Sequence, residues 1–389
     1  MEPHIALPLL AGLTPAQFMR RHWQKKPLLV RAAIPNFKPL LSRVELFRLA
    51  GTEGVESRLI VKTAQSWRMK NGPFSARQLP PASKPGWTLL VQGVDGHDVA
   101  IHQLLQQFRF VPDARLDDVM VSFATPGGGV GAHFDSYDVF LLQASGSRRW
   151  KISKQKDLTL QPDKPLKILQ TFEPEEEFVL HAGDMLYLPP RYAHDGVAKA
   201  GADERGEAAD CMTYSIGFKS LARQELAAEL LHRLAEFNED EFEADSAVNA
   251  QNRYRDPQQT ATPNPALLPD ALIHFAQDAV HRALKDPLAI SCALGEIMTA
   301  PKPGVWFDDP AQSAPVTRKS SVTLDPKTRM MYDANHVFIN GESYLAKGSD
   351  AALMRRLADQ RSLMPADLAK ASTVALELLS DWCAAGWTL

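Results

Sequence analysis

Cysteine is scarce. The 389 residues hold three, Cys211, Cys292 and Cys383, far apart and in no zinc or redox spacing. That excludes a disulfide scaffold and a cysteine-built metal site, and it suits a reducing interior. Long apolar runs are missing too: no stretch approaches the roughly 18 apolar residues of a membrane helix. Nor is there an excess of one charge. Basic side chains number 43 and acidic ones 46, a net charge of −3. This disfavours a dominant nucleic-acid or anionic-membrane surface, though a local basic patch is compatible with it. Residues 1–10 are weakly apolar without a basic flank or a small-residue cleavage pattern, so the chain reads as cytoplasmic.

What is present is the composition of a soluble globular protein, 45% hydrophobic and 23% charged. At roughly 100–200 residues per domain the length predicts two or three domains. The 28 prolines exceed the average share of about 5%, and their placement matters below. Thr14-Pro15-Ala16-Gln17 and Ser42-Arg43-Val44-Glu45 are capping boxes that open two short helices, the second closed by Gly51. Residues 27–30 and 87–91 read as strands, and 99–110 has helical spacing.

Between 118 and 218 the pattern changes to short strands at 119–124, 138–143, 148–152, 177–180, 184–188 and 212–218. Pro126-Gly127-Gly128-Gly129, Ser145-Gly146 and Pro189-Pro190 punctuate them, which predicts a β-sandwich or jelly-roll barrel. Beyond 218 the period is helical. Leu226, Leu230, Leu234 and Phe237 form an apolar stripe opposite an acidic face that continues into Glu239-Asp240-Glu241. A polar loop spans 245–265, and helices follow at 270–284 and 287–298. In the last part, strands at 322–324 and 330–332 bracket Asp325-Pro326, and 337–339 runs into Asn340-Gly341, a hairpin signal. Helices then pass through Leu353 and span 365–379.

His133-Phe134-Asp135 is the first candidate site. Two residues apart on an extended segment, an imidazole and a carboxylate project to one side. With a second histidine they make a facial triad that leaves coordination positions open for substrate. A bare His-x-acid pattern arises about once by chance given 11 histidines and 46 acidic residues, so context decides. The pair follows Pro126-Gly127-Gly128-Gly129-Val130-Gly131, read as a flexible loop through which backbone approaches a small ligand. Downstream, a Gly183-Asp184 turn, a short strand and Pro189-Pro190 return His194 to the barrel mouth. His194 is the favoured third ligand and His181 its rival. The plainer alternatives are a turn-forming Asp135 and a core His194.

Parity in the 148–152 strand puts Arg148 on the face of Trp150 and Ile152. A guanidinium facing inward needs an anion: a ligand carboxylate or an internal Asp or Glu. Along the preceding strand Asp118, Met120 and Ser122 share a face opposite the apolar Val119, Val121 and Phe123. They line either a cavity, where Ser122 donates to a ligand carboxylate and Asp118 holds a cation, or a solvent-facing edge.

These motifs, with Tyr137-Asp138-Val139-Phe140, Arg148-Arg149-Trp150, the 183–190 turn, Trp23-Gln24-Lys25-Lys26-Pro27-Leu28-Leu29 and Trp87-Thr88-Leu89-Leu90-Val91-Gln92-Gly93, resemble the bacterial JmjC-type ribosomal oxygenases, strongly over residues 10–220. The resemblance implies an Fe(II)- and 2-oxoglutarate-dependent dioxygenase that uses dioxygen to 3-hydroxylate an arginine of a large-subunit ribosomal protein. It implies a mainly β plus α chain: a double-stranded β-helix (cupin or jelly-roll, JmjC-type) over 1–219, a helical dimerisation domain over 220–303 and a winged-helix-like domain over 304–389. By position His133, Asp135 and His194 match the iron ligands, and Arg148 and Ser122 match contacts to 2-oxoglutarate. Ala124 departs from the pattern, standing where a second small hydroxyl residue is expected. Asp118 and Tyr137, with Met120 on the same wall, are the candidates for gripping the substrate arginine.

Two other readings compete. A JmjC-type demethylase shares barrel and cofactors but releases formaldehyde. A non-catalytic cupin regulator with a DNA-binding tail is a different class. Residues 305–389 carry nine Lys/Arg and ten Asp/Glu, which gives DNA little electrostatic footing. The expected partners are therefore a basic ribosomal protein and a second copy of the chain, with neither membrane nor nucleic acid.

Overall fold

The computed structural model describes residues 2–63, 66–201, 210–244, 254–257, 266, 268–284, 287–308 and 314–389, without the side chains of 236–244, 282–283 and 287. The chain divides into two compact units, Met1–Ser220 with Gly304–Trp306, and Leu221–Pro303 with Phe307–Leu389.

In the first unit, strands β1 (Leu28–Val30), β2 (Ser57–Lys62), β3 (Trp67–Asn71), β4 (Trp87–Val91), β5 (Leu116–Ala124), β6 (Val139–Ser145), β7 (Ser147–Ser153), β8 (Glu176–His181), β9 (Met185–Leu188), β10 (Ala193–Ala198) and β11 (Cys211–Phe218) build two antiparallel sheets. The larger has the order β1-β9-β6-β11-β5-β4-β2-β3, the smaller β10-β7-β8. The two-residue period of each strand sorts its side chains between two faces. On one face of the large sheet Val119, Val121, Phe123, Phe140, Leu142, Tyr187 and Tyr214 join Phe18, Leu46, Ile101 and Phe108 in the main core. On the other, Val139, Leu141, Leu186 and Leu188 meet Trp150, Ile152 and Leu180 of the small sheet. This is the jelly-roll sandwich that the strand pattern predicts. Each fully buried large side chain contributes about 1.5–3 kcal/mol, so the apolar contacts decide the register.

Both capping boxes form. Thr14 Oγ1 accepts from the Gln17 amide at 3.1 Å and Gln17 Oε1 from the Thr14 amide at 3.0 Å, opening α1 (Pro15–Arg21). Ser42 and Glu45 do the same for α2 (Arg43–Leu49). The helix expected over 99–110 is α3 (Val99–Gln106), capped by Asp98. Three strands of this unit, β2, β3 and β10, escaped the sequence reading. Of these β10, Ala-His-Asp-Gly-Val-Ala, is the consequential one, since its polar residues and glycine hide its extended character.

Two conspicuous motif residues prove to be scaffolding. Asp138 is fully buried and accepts from Tyr187 Oη at 2.6 Å and Gln24 Nε2 at 3.0 Å, with Arg115 Nη2 3.6 Å away. Tyr187 Oη in turn accepts from the Gln24 amide at 2.8 Å, so the pair ties the N-terminal segment to the sheet. Asp138→Ala should cost about 3 kcal/mol or more by stranding these donors. Urea unfolding should register that loss while metal affinity stays at the wild-type level. Asp184 likewise fixes a turn, accepting from Arg31 Nη1 at 2.6 Å, the Ala32 amide at 3.0 Å and the His181 amide at 3.1 Å.

The second unit contains α4 (Arg223–Ala244), α5 (Asp270–Ala283) and α6 (Pro287–Thr299), then β12 (Val322–Thr323), β13 (Met330–Tyr332), β14 (His336–Ile339), β15 (Glu342–Leu345), α7 (Gly348–Gln360), β16 (Ser362–Leu363), α8 (Pro365–Leu368) and α9 (Thr373–Ala384). The Asn340-Gly341 hairpin forms between β14 and β15, with φ of 49° and 90° at its two central residues, as such a turn requires. The strands bracketing Asp325-Pro326 do not pair with each other: β12 pairs with β16 and β13 with β14. The single helix expected over 365–379 is two, because Ser372 Oγ accepts from the Ala375 amide at 3.1 Å and starts α9 afresh. Leu324, Ile339, Leu357, Leu379 and Trp382 centre the core of this winged-helix-like part. Leu234 of the apolar stripe is buried and Leu226 and Leu230 are half-buried. The Phe237 side chain, those of 239–241, and most of 245–265 lie outside the described residues. No described helix is long and apolar enough to cross a membrane.

Candidate metal centre

The site assembles where the glycine-rich segment meets β10. Gly129 lies so close to β10 that a Cβ would fall 2.5 Å from the Gly196 carbonyl oxygen, and one on Gly128 would fall 2.4 Å from that of Trp87. Gly127 and Gly131 take φ of +77° and +83°, which only glycine adopts freely. The loop read from sequence as flexible is thus a packed strap held flat against β4 and β10. It delivers His133 opposite His194, and the two residues exchange both backbone bonds, at 2.9 Å and 2.8 Å. His194 itself lies on β10, opposite Ile152 of β7, and not after a strand as its proline context suggests.

Ligand atoms of His133, Asp135 and His194 all lie within 4.8 Å of one another. His194 Nε2 is 3.6 Å from Asp135 Oδ2 and His133 Nε2 is 4.0 Å from Asp135 Oδ1. Each histidine turns its Nδ1 to a carbonyl two residues back, His133 to Gly131 and His194 to Tyr192, both at 2.9 Å. Those carbonyls accept the Nδ1 proton, which leaves each Nε2 lone pair facing the carboxylate. This is how ligating histidines are oriented. Burial, then the neighbouring His133, push His194 down to about 4, so it is neutral and ready to bind metal at neutral pH. His181, the rival ligand, is exposed and stands apart from the cluster.

Arg148 occupies the inward face with Trp150 and Ile152 and is 4% exposed. Its Nε has no hydrogen-bond partner, and its Nη2 donates to Ser122 Oγ at 3.4 Å. No carboxylate among the described residues pairs with it, so the internal salt bridge is not formed. A buried guanidinium left in this state demands an anion, and a carboxylate is its natural bidentate match. The arrangement therefore fits a metal-chelating carboxylic acid: a three-ligand cluster in the barrel that also holds a buried cation. Thr213, opposite Ser122 on β11, brings a second small hydroxyl to this wall and donates to Gln143 Oε1 at 3.0 Å. Ala124 packs with Ala198 and Cys211 in an apolar cluster.

Asp118, Met120 and Ser122 share the sheet face predicted for them. Asp118 is buried and Met120 half-buried. Tyr137 links this wall to the ligand cluster. Its phenol is held well above the usual range by partial desolvation, then by the charges of Asp135 and Asp118. Sequence reasoning missed Arg58 and, although it lies in the 87–93 motif, the role of Gln92. Gln92 Nε2 donates to both Asp118 oxygens at 3.0 Å, and Arg58 Nη2 donates to Gln92 Oε1 at 3.3 Å. The register β5-β4-β2 that aligns these residues is a non-local fact that no motif carries.

Comparisons with known proteins agree with this fold. A family model of the JmjC domain matches residues 103–226, and one of the ROXA-like winged helix matches 282–388. The ribosomal protein uL16 3-hydroxylase of Escherichia coli (strain K12) is 37% identical over 210 residues, 54% of this chain and 53% of that protein. That match therefore spans about half the relative's length. A probable ribosomal oxygenase of Haemophilus influenzae is 29% identical over 406 residues, 97% of this chain and 96% of that protein. Among solved structures, E. coli ycfD superposes with a TM-score of 0.80 at 26% identity, covering 97% of this chain and 98% of that one. The E. coli ribosomal oxygenase YcfD in complex with cobalt and 2-oxoglutarate gives 0.78 at 27% identity, with the same coverage.

Proposed function

We propose that this chain, a JmjC-domain protein with a ROXA-like winged helix, is an Fe(II)- and 2-oxoglutarate-dependent oxygenase that 3-hydroxylates an arginine of a large-subunit ribosomal protein. The observation that carries the reading is the buried, carboxylate-free Arg148 in the barrel that also holds the His133, Asp135 and His194 cluster.

His133, Asp135 and His194 would hold the iron, and Arg148 with Ser122 would take the far carboxylate of 2-oxoglutarate. When bound, the metal and co-substrate supply the oxidation of an unactivated C–H bond by dioxygen, with succinate and carbon dioxide as co-products. The protein's part is placement and exclusion of water. Asp118 pairs with the substrate guanidinium, Tyr137 packs on its plane, and Met120 closes the wall beside them. The two backbone-tethered histidines keep their lone pairs directed while the site is open.

Incubation of the protein with purified large-subunit ribosomal proteins, Fe(II) and 2-oxoglutarate, read by intact mass, tests this. A gain of one oxygen atom on one protein, mapped to an arginine and absent with His133→Ala, is the expected result. Formaldehyde release with loss of a methyl group would instead establish the demethylase. Absence of any mass change would overturn the assignment.

The further parts of the proposal concern assembly. Residues 220–303 serve as a dimerisation element between a catalytic part over 1–219 and a winged-helix-like part over 304–389. Support comes from α5 and the residue after it: Ile273, Val280 and Leu284 lie on one face at helical spacing and are 40%, 54% and 39% exposed, an apolar stripe suited to a second copy. Val280→Glu should shift the protein to the monomer in light scattering. The near-balanced charge of 305–389 supports protein rather than nucleic acid as the partner, and a ribosomal substrate places the enzyme in the cytoplasm.

A further inference from the structure

We propose that Gln92 is a positioning residue that fixes the Asp118 carboxylate and so sets the preference for an arginine side chain; this rests on the clamp reading above. Gln92 directly follows β4, at the level where β4 lies between β2 and β5. Its amide nitrogen is 3.0 Å from both oxygens of Asp118, which fixes the plane of a carboxylate that is 4% exposed. The amide is itself anchored twice. Its carbonyl oxygen accepts from Arg58 Nη2 at 3.3 Å, and its backbone N–H donates to the Glu56 carbonyl at 2.9 Å. Arg58 lies in turn 3.7 Å from the Glu56 carboxylate.

The chemistry of the amide matters as much as its place. A neutral donor orients a carboxylate without cancelling its charge, whereas a lysine or arginine at position 92 would bring a positive charge that competes with a substrate guanidinium. Orienting the acceptor beforehand removes part of the ordering cost of binding. Arg58, at the far end of Gln92, holds the amide in the orientation that points its N–H₂ at Asp118.

The test uses two probes, acetyl-glycyl-arginyl-glycine amide and its norleucine counterpart, titrated by NMR into the full chain loaded with Mn(II). Wild type should bind the arginine peptide more tightly. Gln92→Met should reduce that preference about tenfold, the worth of one hydrogen bond to a charged group. Arg58→Met should reduce it less, about threefold, since it acts through a longer bond. Affinities for Mn(II), 2-oxoglutarate and the norleucine peptide should not move. If wild type shows no preference, the clamp reading falls and this proposal with it. If wild type discriminates and Gln92→Met does so equally, only the positioning role is overturned. Equal loss for both peptides would also overturn it by making Gln92 merely structural.

Discussion

Arg148→Met should give a protein more stable than wild type without co-substrate and unresponsive to it when loaded with Mn(II). The guanidinium is buried with Nε unpartnered and no carboxylate among the described residues beside it, so the unliganded fold carries a desolvated charge. Replacing such a group by an apolar side chain of similar reach is often stabilising by about 1–3 kcal/mol. With 2-oxoglutarate the sign reverses. Truncating one partner of a buried charge pair costs about 2–5 kcal/mol, roughly 30-fold to a few thousand-fold in affinity. At a hundred times its Kd the co-substrate should stabilise wild type by about 2.7 kcal/mol and the variant hardly at all. Paired urea-unfolding curves would show the two lines crossing. A variant less stable than wild type in both conditions would mean that Arg148 is satisfied internally.

The second large effect concerns Asp135. Among the described residues it is the one anion facing both histidine Nε2 atoms, at 3.6 Å and 4.0 Å. Loss of a group that merely orients a ligand costs about 10–100-fold in metal affinity or activity, so loss of a ligand itself should reach at least the top of that range. Asp135→Ala should therefore lower Fe(II) affinity by about 100-fold or more and abolish turnover, with the fold intact by circular dichroism. Backbone bonds, not the carboxylate, hold His133 against His194, so the variant should fold with the two rings still adjacent. Unchanged metal content after dialysis would exclude Asp135 as a ligand.

The sequence carried some features openly and hid others, for physical reasons. Capping boxes are local, so α1 and α2 were legible from four residues each. Strand parity is local too, and it put Arg148 on the Trp150 face and Ser122 beside Asp118. The strap from 126 to 131 misled because glycine speaks for freedom in one setting and for contact in another; only the neighbouring Gly196 and Trp87 carbonyls distinguish the two. The Ser372 cap was overlooked inside an otherwise helical pattern. Gln92 stood in the 87–93 motif without a role and Arg58 in no motif, since what makes them notable is which strands lie side by side. Asp138 and Tyr187 show the reverse: conspicuous in the motif, they serve the fold.

The ladder joining His133 to His194 has a further consequence. Because main chain holds the two imidazoles in place, the side chain at 135 can change without moving the frame. The metal-binding chemistry and the barrel are thereby separable in heredity. A lineage can trade one divalent ion for another, or give up oxidation and keep a pocket for an organic acid, through a single codon.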